Sequence, residues 1–191
     1  MKKILFLTGL LLGFCPLLNA ATEAEMIKAI ADAGAARSEV RSAFTETRSF
    51  PRKAVVILKG ELLYKHDDGY FHMAYEDAAK ENFLIDGNTM VNRREGREIK
   101  SDLGKNALMR SLAATLRCAF SGALEQLARE QKISLCVRQD GDCYLAVLDA
   151  QQKLPRGYSH IEIRYRQSDA RIVSMRMDEF TGASTLYQLE K

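Results

Sequence analysis

The chain contains few prolines, histidines and cysteines, and each shortage narrows the class of protein. Its 191 residues include 3 Pro, 3 His and 4 Cys, beside 12 Gly. So little proline and glycine excludes a collagen-like chain and a proline-rich disordered one. With 47% hydrophobic and 28% charged residues, the composition is that of an ordinary folded domain. A chain of this length can form one core without metal or many disulfides.

The sequence also lacks the common catalytic motifs. It contains no Gly-x-Ser-x-Gly, Ser-x-x-Lys or His-Glu-x-x-His segment and no glycine-rich phosphate-binding loop. His66 beside Asp67 and Asp68 is open to interpretation as an acid–base cluster, but a polar turn is the simpler interpretation. His72 and His160 fall on the polar sides of their predicted strands, and the three histidines are not at metal-ligand spacing. We therefore expect no enzymatic activity, no catalytic residue, no metal and no cofactor.

Neither sign of charge dominates. Lys plus Arg number 28 and Asp plus Glu number 25, for a formal net charge of +3 at pH 7. Most of that excess comes from Lys2 and Lys3 at the N-terminus. The most basic stretch, from Arg93 to Lys100, interleaves acids and surrounds a turn, which favours a solvated hairpin over a phosphate-binding patch. We expect no nucleic-acid partner.

The N-terminus has the layout of a secretory signal peptide. Lys2 and Lys3 precede an apolar run from Ile4 to Leu12, and small residues lead up to Ala20. We predict a signal peptide over residues 1–20, cleaved after Ala20, and a single exported domain over residues 21–191. Lipidation at Cys15 is an alternative, which the bulky Phe14 before it disfavours.

Three cysteines follow the predicted cleavage site. Cys136 and Cys143 flank a turn at residues 138–142 and are the nearest pair. We predict a disulfide between them if the hairpin register places them opposite each other, with three free thiols as the alternative. Cys118 has apolar neighbours on a predicted helix and no accompanying catalytic motif, so we expect a buried structural thiol.

Two segments have helical periodicity. Thr22 and Glu25 form a capping-box pattern at the start of a first helix over residues 22–36. In the segment 105–131, leucines recur every three or four residues without strand alternation, which predicts an amphipathic helix or a pair of helices. Ser121-Gly122 is a plausible break within it.

The rest of the chain alternates apolar and polar residues, which predicts about eleven strands. They are placed at 39–51, 53–65, 71–75, 82–85, 89–93, 97–100, 133–137 and 144–148, with three more after Gly157. An antiparallel sheet this long must curl. We therefore predict a mainly β fold, an incomplete, half-open antiparallel β-barrel whose open side is covered by segment 105–131 as a helical lid.

The apolar side chains of these elements form a candidate ligand cavity between the concave face of the sheet and the lid. The candidate residues are Val56, Leu58, Leu62, Phe71, Met73, Tyr75, Met90, Leu112, Leu116, Phe120, Ile163, Tyr165, Val173, Met175 and Met177. Methionine side chains adapt to apolar ligands of varied shape, but they are also ordinary core residues, and composition alone favours packing. If the face binds a ligand, we expect a cavity that is partly empty without it.

Several segments resemble the periplasmic outer-membrane lipoprotein carriers of the LolA type. Phe44-Thr45-Glu46 is similar to the family's Phe-x-Gln segment. The strand from Gly60 to Lys65, the alternation Phe71-x-Met73-x-Tyr75 and the turn from Asp86 to Met90 follow in the family's order. The resemblance covers most of the chain after the predicted signal peptide, and its motifs are short.

The resemblance implies an eleven-stranded incomplete barrel whose helical lid encloses the acyl chains of a lipoprotein. It implies a monomeric periplasmic carrier that ferries lipoproteins from an inner-membrane releasing transporter to an outer-membrane acceptor. Where many members have Gln, Trp and a basic residue before Pro, this chain has Glu46, Met73 and His66-Asp67, which bears on lid opening and on partners. The alternatives are a carrier of another acylated lipid or hydrophobic metabolite, a periplasmic scaffold with a filled core and, last, a lipid hydrolase.

Overall fold

The computed structural model describes residues 21–76, 81–152 and 157–190. The predicted signal peptide and the alternative lipidation at Cys15 lie outside these residues. The elements are α1 (Glu23–Ala35), β1 (Glu39–Ser49), β2 (Val56–Lys65), β3 (Tyr70–Tyr75), β4 (Asn82–Asp86), β5 (Thr89–Arg94), β6 (Arg97–Asp102), α2 (Ala107–Ser121), α3 (Leu124–Gln131), β7 (Ile133–Asp140), β8 (Cys143–Ala150), β9 (Tyr158–Arg166), β10 (Ile172–Glu179) and β11 (Ser184–Leu189). No helix in these ranges is long and apolar enough to cross a membrane.

All eleven strands belong to one antiparallel sheet. Their order is β6-β5-β4-β3-β2-β1-β11-β10-β9-β8-β7, so β6 and β7 form its two edges. The first and last strands meet in the middle, where Phe44 pairs with Leu189. The predicted fold class, a half-open antiparallel barrel with a helical cover, is therefore confirmed.

The loop that connects β1 and β2 is longer than the sequence predicts. β1 ends at Ser49 and β2 begins only at Val56, whereas the apolar pattern starts the second strand at Lys53. Pro51 has no N–H to donate to a ladder, and Arg52 has a φ of 60°. These two residues turn the chain before β2 can pair with β1.

The helices begin and end at residues suited to those positions. At the start of α1, the Thr22 hydroxyl accepts a hydrogen bond from the Glu25 N–H at 3.3 Å, and the Glu25 carboxylate accepts one from the Thr22 N–H at 2.8 Å. The Asn106 side chain caps α2 by accepting from the Met109 N–H. α2 ends at Ser121 and is capped by Gly122, whose φ is 76°, so the predicted helical segment 105–131 forms two helices, α2 and α3.

Two glycines bring α1 and α2 into backbone contact. A Cβ atom on Gly34 would lie 2.0 Å from the Ser121 carbonyl oxygen, and one on Gly122 would lie 2.4 Å from the Ile30 carbonyl oxygen. Any larger residue at either position would push the helices apart. The C-terminal end of α2 is therefore held closely against α1.

The register of the β7–β8 hairpin separates the two cysteines predicted to pair. Cys136 lies opposite Val147, and Cys143 lies opposite Asp140. Because only two residues connect these strands, Cys136 is four residues along the strand from the position facing Cys143, beyond the reach of a disulfide. The predicted disulfide is therefore not formed, and all three described cysteines are free. Cys118 is buried, and burial raises the pKa of its thiol to about 11.

The three histidines are partly buried; His72 and His160 have polar side-chain partners, whereas the buried Nδ1 of His66 has no hydrogen-bond partner. His72 lies 3.2 Å from the Asn82 side-chain oxygen, and His160 lies 2.6 Å from an Asp149 carboxylate oxygen. His66 begins the turn that the sequence places at residues 67–69, and its carbonyl accepts a hydrogen bond from the Gly69 N–H. Among the residues described, no group of three potential metal ligands occurs.

Candidate functional site

The concave face of the sheet packs against α2. Strand alternation places Leu62, Phe71, Met73 and Met175 on this face, and Phe120 of α2 lies directly over them. The Phe120 ring centroid is 5.3 Å from that of Phe71 in an edge-to-face arrangement. The interface is therefore made mainly of aromatic and methionine side chains, as an adaptable apolar surface requires.

Most of the predicted cavity residues meet in one buried cluster. The buried members are Leu62, Phe71, Met73, Met90, Leu116, Phe120, Ile163, Tyr165, Met175 and Met177, and Tyr75 and Leu112 pack against them. Phe44 and Ile161 also belong to this cluster, Tyr187 and Leu189 pack against it, and all four are absent from the predicted set. Alternation in β1, β9 and β11 was the signal that could have found them.

Val56 and Leu58 lie outside this cluster. Both are an even number of residues from Leu62 on β2 and so point to the same face, but they lie at the beginning of the strand. Val56 is 40% exposed and is paired with Arg48, and Leu58 is paired with Glu46. These two residues therefore border a polar end of the concave face, and the expectation that they line the buried cavity is not met.

Val173 also departs from its predicted place. Ile172 pairs with Tyr165 and Ser174 pairs with Arg164, so the extra residue between them has no partner in the ladder. This β-bulge shifts the alternation by one residue, and Ile172 rather than Val173 is buried with the cluster.

The covered part of the concave face is filled by its own side chains. The cavity among Phe44, Met73, Leu116, Met175 and Tyr187 measures only about 10 Å³. A single water molecule needs about 10–15 Å³, so an acyl chain has no room in this conformation. The expected partly empty cavity is therefore not observed, and a chain could enter only if α2 moved away from the sheet.

A larger groove opens at one end of the sheet, with a volume of about 780 Å³. It lies between the start of α2, the end of α3, the end of β8 and the start of β9. Its lining includes Leu108, Ser111, Gln131, Ile133, Ala150 and Tyr158. Ligand pockets commonly have this size, although this lining is more polar than most.

A buried ionic network borders the same end of the concave face. Glu46 is 1% exposed, and its two carboxylate oxygens accept hydrogen bonds from Nε and Nη2 of Arg48 at 2.7 and 2.9 Å. The Tyr75 hydroxyl donates to the same carboxylate at 2.7 Å. Arg48 also lies 3.5 Å from the Glu81 carboxylate. Because β1 alternates, Glu46 and Arg48 face the same side as Phe44.

The network keeps its arginine charged and its tyrosines neutral. Burial disfavours the Arg48 charge, but the hydrogen bonds and charge of Glu46 outweigh it and raise the pKa of Arg48. Burial and the Glu46 charge raise the pKa of Tyr75 and of Tyr187. Burial, with the charges of Glu179 and Glu46, raises the pKa of Tyr158 to about 12. Since Tyr158 also lines the groove, the groove and the network adjoin.

Side chains near the C-terminal end of α2 attach it to the sheet. Arg117 donates from Nε to the Gly69 carbonyl at 2.7 Å and from Nη2 to the Gly87 carbonyl at 2.8 Å, in the β2–β3 and β4–β5 turns. The Tyr165 hydroxyl donates to the Ala119 carbonyl at 2.9 Å.

Gln131 joins α3 to α2. Its side-chain amide donates to the Ser111 carbonyl at 3.1 Å and accepts from the Ser111 hydroxyl at 2.9 Å. The two helices are thereby connected at the groove end as well as by the short link at Gly122. We call α2 and α3 together the lid.

Neither a protein-family model nor a curated protein sequence matches the chain. Several solved structures are similar in fold. A LolA superfamily protein from Nitrosomonas europaea shares 10% identity at a TM-score of 0.42, over 90% of this chain and 93% of that one. A domain named as an outer membrane lipoprotein-sorting protein, from Vibrio parahaemolyticus, shares 11% identity at a TM-score of 0.44, over 89% of this chain and 92% of that one. A chain of the MucA/MucB complex from Pseudomonas aeruginosa shares 9% identity at a TM-score of 0.44, over 88% of this chain and 56% of that one. These are likenesses of overall fold.

Proposed function

We propose that this protein is a carrier that binds acyl chains between the concave face of its sheet and the lid, with lipoproteins as the cargo. One observation carries the proposal. An open sheet presents a continuous apolar face, and the helix that covers it packs there through Leu116, Phe120 and other apolar side chains. The part of the interface around Leu116 and Phe120 can exchange one apolar partner for another, and the polar contacts that an outward movement would break are those of Arg117 and the Tyr165 hydroxyl.

The energetics favour such an exchange. Burying an acyl chain contributes about 0.8 kcal/mol per CH₂, so a chain of about fifteen CH₂ groups contributes about 12 kcal/mol, against about 3–6 kcal/mol for the buried side chains of Leu116 and Phe120. Met73, Met175 and Met177 are unbranched and can adopt new rotamers around an incoming chain. We infer that the described conformation is the closed one and that cargo binds as the lid moves outward.

The cellular setting belongs to the same proposal. The N-terminal signal pattern supports export and a periplasmic location. The sequence resemblance supports an inner-membrane transporter as the donor and an outer-membrane protein as the acceptor. Native mass spectrometry of the protein purified from its own periplasm would identify the bound cargo, including another acylated lipid if that is what the site carries.

A periplasmic scaffold without a ligand is the second candidate function. The residual cavity of about 10 Å³ favours it, because the same surface then serves simply as a core. The two functions differ in one respect that can be measured. A carrier admits an acyl chain next to Phe120, whereas a scaffold does not.

The absence of tryptophan from the chain makes that measurement direct. Phe120→Trp introduces a single indole at the lid–sheet interface and keeps an aromatic ring there. Acyl chains brominated along their length should quench its fluorescence. Gln126→Trp, at an exposed position of α3, is the matched control and should not be quenched.

The two functions predict opposite outcomes. Quenching at position 120 alone, increasing with chain length, supports the carrier. If neither variant is quenched at any chain length, while circular dichroism shows that both are folded, the scaffold is correct.

A further inference from the structure

The β1–β2 hairpin carries most of the exposed apolar surface of the described chain. Every residue from 50 to 57 is exposed. Phe50 is 41% exposed, Val55 55%, Val56 40% and Ile57 64%, and outside this hairpin only one other large apolar side chain among the described residues, Ile99, is comparably exposed. Isolated exposed apolar residues are common, but four within eight residues indicate a contact surface.

Both faces of the hairpin are uncovered. Val56 and Ile57 are consecutive residues of β2, and consecutive strand residues point to opposite faces. Since both are exposed, the rest of the protein covers neither face at this end of the hairpin. A protein partner packed against one face would leave the other in water, whereas a lipid interface surrounds an inserted segment on all sides.

The charges within the hairpin itself have one sign, although Glu76 lies beside Lys59 and Asp178 and Glu179 lie at the same end of the sheet. Between Glu46 and Glu61 the chain contains no acidic residue. Arg52 and Lys53 are exposed at the tip, and Lys59 follows on β2. The Lys53 ammonium lies 5.9 Å from the centroid of the Phe50 ring. Basic and apolar side chains together are typical of segments that bind anionic membrane surfaces.

The hairpin and the open groove lie at the same end of the sheet. Ser49, the last residue of β1, pairs with Ser184, and Ser184 pairs with Asp178. The next residue, Glu179, pairs with Tyr158, which lines the groove. A surface that contacts the hairpin therefore also faces the end of the molecule where the groove opens.

We propose that the β1–β2 hairpin docks the protein onto an anionic phospholipid surface. Phe50, Val55, Val56 and Ile57 enter the interface, and Arg52 and Lys53 contact the lipid phosphates. This docking does not depend on carrier activity, because a scaffold with the same hairpin would bind the membrane as well.

Vesicle co-sedimentation tests the proposal. The mature protein is expected to bind vesicles of phosphatidylcholine mixed with phosphatidylglycerol, to bind phosphatidylcholine alone more weakly, and to dissociate as salt is raised. Arg52→Glu or Lys53→Glu should each weaken binding to the anionic vesicles at least fivefold, since one Lys or Arg near such a surface contributes about 1 kcal/mol.

Two isoleucines provide a matched pair. Ile57 is 64% exposed on β2, and Ile99 is 66% exposed on the edge strand β6. Ile57→Ser should weaken binding about tenfold, because it removes most of a side chain that the interface buries, and Ile99→Ser should leave binding unchanged. In Phe50→Trp, the single indole should shift its emission to shorter wavelength when anionic vesicles are added.

Three results would overturn the proposal. One is equal vesicle binding by wild type and Ile57→Ser, both folded by circular dichroism. Another is an indole emission at position 50 that does not change with vesicles. The third is concentration-dependent self-association in sedimentation experiments that Ile57→Ser abolishes while vesicle binding persists, which would assign the hairpin to a second copy of the chain.

Discussion

At the level of single residues, Glu46 makes the concave face more than a hydrophobic surface. Its carboxylate is almost completely buried, and Arg48 and Tyr75 satisfy its oxygens. A buried ion pair adds little net stability compared with apolar packing, but removing one partner leaves a charge uncompensated. The network therefore fixes the position of this end of β1 more than it strengthens the fold.

Glu46→Ala should lower the free energy of unfolding by about 3 kcal/mol, because the half-buried Arg48 charge loses its main partner. Glu39→Ala is the control on the same strand, since Glu39 makes the same two-residue-spaced pair with Arg41 in an exposed position. That variant should lose less than about 1 kcal/mol. Urea unfolding measures the loss of unfolding free energy in both variants. Equal losses would mean that the Glu46–Arg48 pair contributes no more than an exposed ion pair.

His160 predicts a pH dependence of stability. Its hydrogen bond to Asp149, followed by that to Glu162, raises its pKa above the ordinary value in spite of partial burial. A raised pKa in the folded state stabilises the protein fully below the unfolded pKa of about 6.5. That stabilisation is lost as the pH rises through the higher, folded value.

The free energy of unfolding should therefore fall between slightly acidic and mildly alkaline pH. His160→Asn should remove the part of this decrease that comes from His160. His72→Asn keeps His160 and its two carboxylate partners, so the decrease should remain in that variant. Unfolding curves recorded across this pH range provide the measurement. A decrease that persists unchanged in His160→Asn would assign it to another group.

At the level of elements, the lid is attached unevenly. Near its C-terminal end, α2 contacts α1 through Gly122, and Arg117 binds two turns of the sheet. Near its N-terminal end, Arg110 binds the carbonyls of Leu103 and Gly104, in the loop that leads into α2 itself. At the groove end the chain itself connects α2 to β6 and α3 to β7, so an outward movement of the lid requires the contacts of Arg117 and Gly122 at the opposite end to break.

Arg117→Ala should loosen the lid without unfolding the sheet. It removes two hydrogen bonds from a charged donor, with a cost of about 1–3 kcal/mol to lid closure. Amide hydrogen exchange in α2 should speed up, with little change in the strands. Arg110→Ala is the matched control on the same helix and should leave exchange in the C-terminal half of α2 unchanged. Equal exchange in both variants would show that Arg117 does not retain the lid.

The sequence predicts elements better than it predicts their exact register. Helical periodicity and Gly122 were sufficient to indicate a broken helical segment, and period-two alternation was sufficient to indicate the strands. The bulge at Val173 has no clear local signal, because Ile172 and Val173 are equally apolar. The predicted Cys136–Cys143 disulfide was wrong for a related reason. The register of a hairpin depends on the number of residues in its loop, and the polar segment 138–142 does not fix that number.

At the level of the whole molecule, the sequence indicates which side chains face inward but not how closely the lid approaches the sheet. That distance depends on contacts such as the Gly34–Ser121 approach, which no short motif reveals. The same inward residues line an empty cavity if the lid stands away and form a core if it closes. The structure shows the closed arrangement around Met175.

Met175→Ala should therefore cost about 2–5 kcal/mol of unfolding free energy without ligand, as expected for a packed core residue. Met109→Ala, at a partly buried position of α2, should cost less. This loss is expected for a closed carrier and for a scaffold alike, so the two are distinguished by ligand. Saturating acyl ligand should restore stability to Met175→Ala only in a carrier, as measured by thermal unfolding with and without ligand.

The pairing of β1 with β11 has a consequence for how the molecule forms. These strands are the first and last of the chain, yet they meet at the centre of the sheet. The strands from β2 to β6 and from β7 to β10 can form local hairpins early, but the two halves remain unjoined until the final strand is available. A chain that is still being synthesised therefore lacks the strand that completes its sheet. The two halves can be joined into the native sheet only once β11 has been made, whatever local hairpins the earlier strands have already formed.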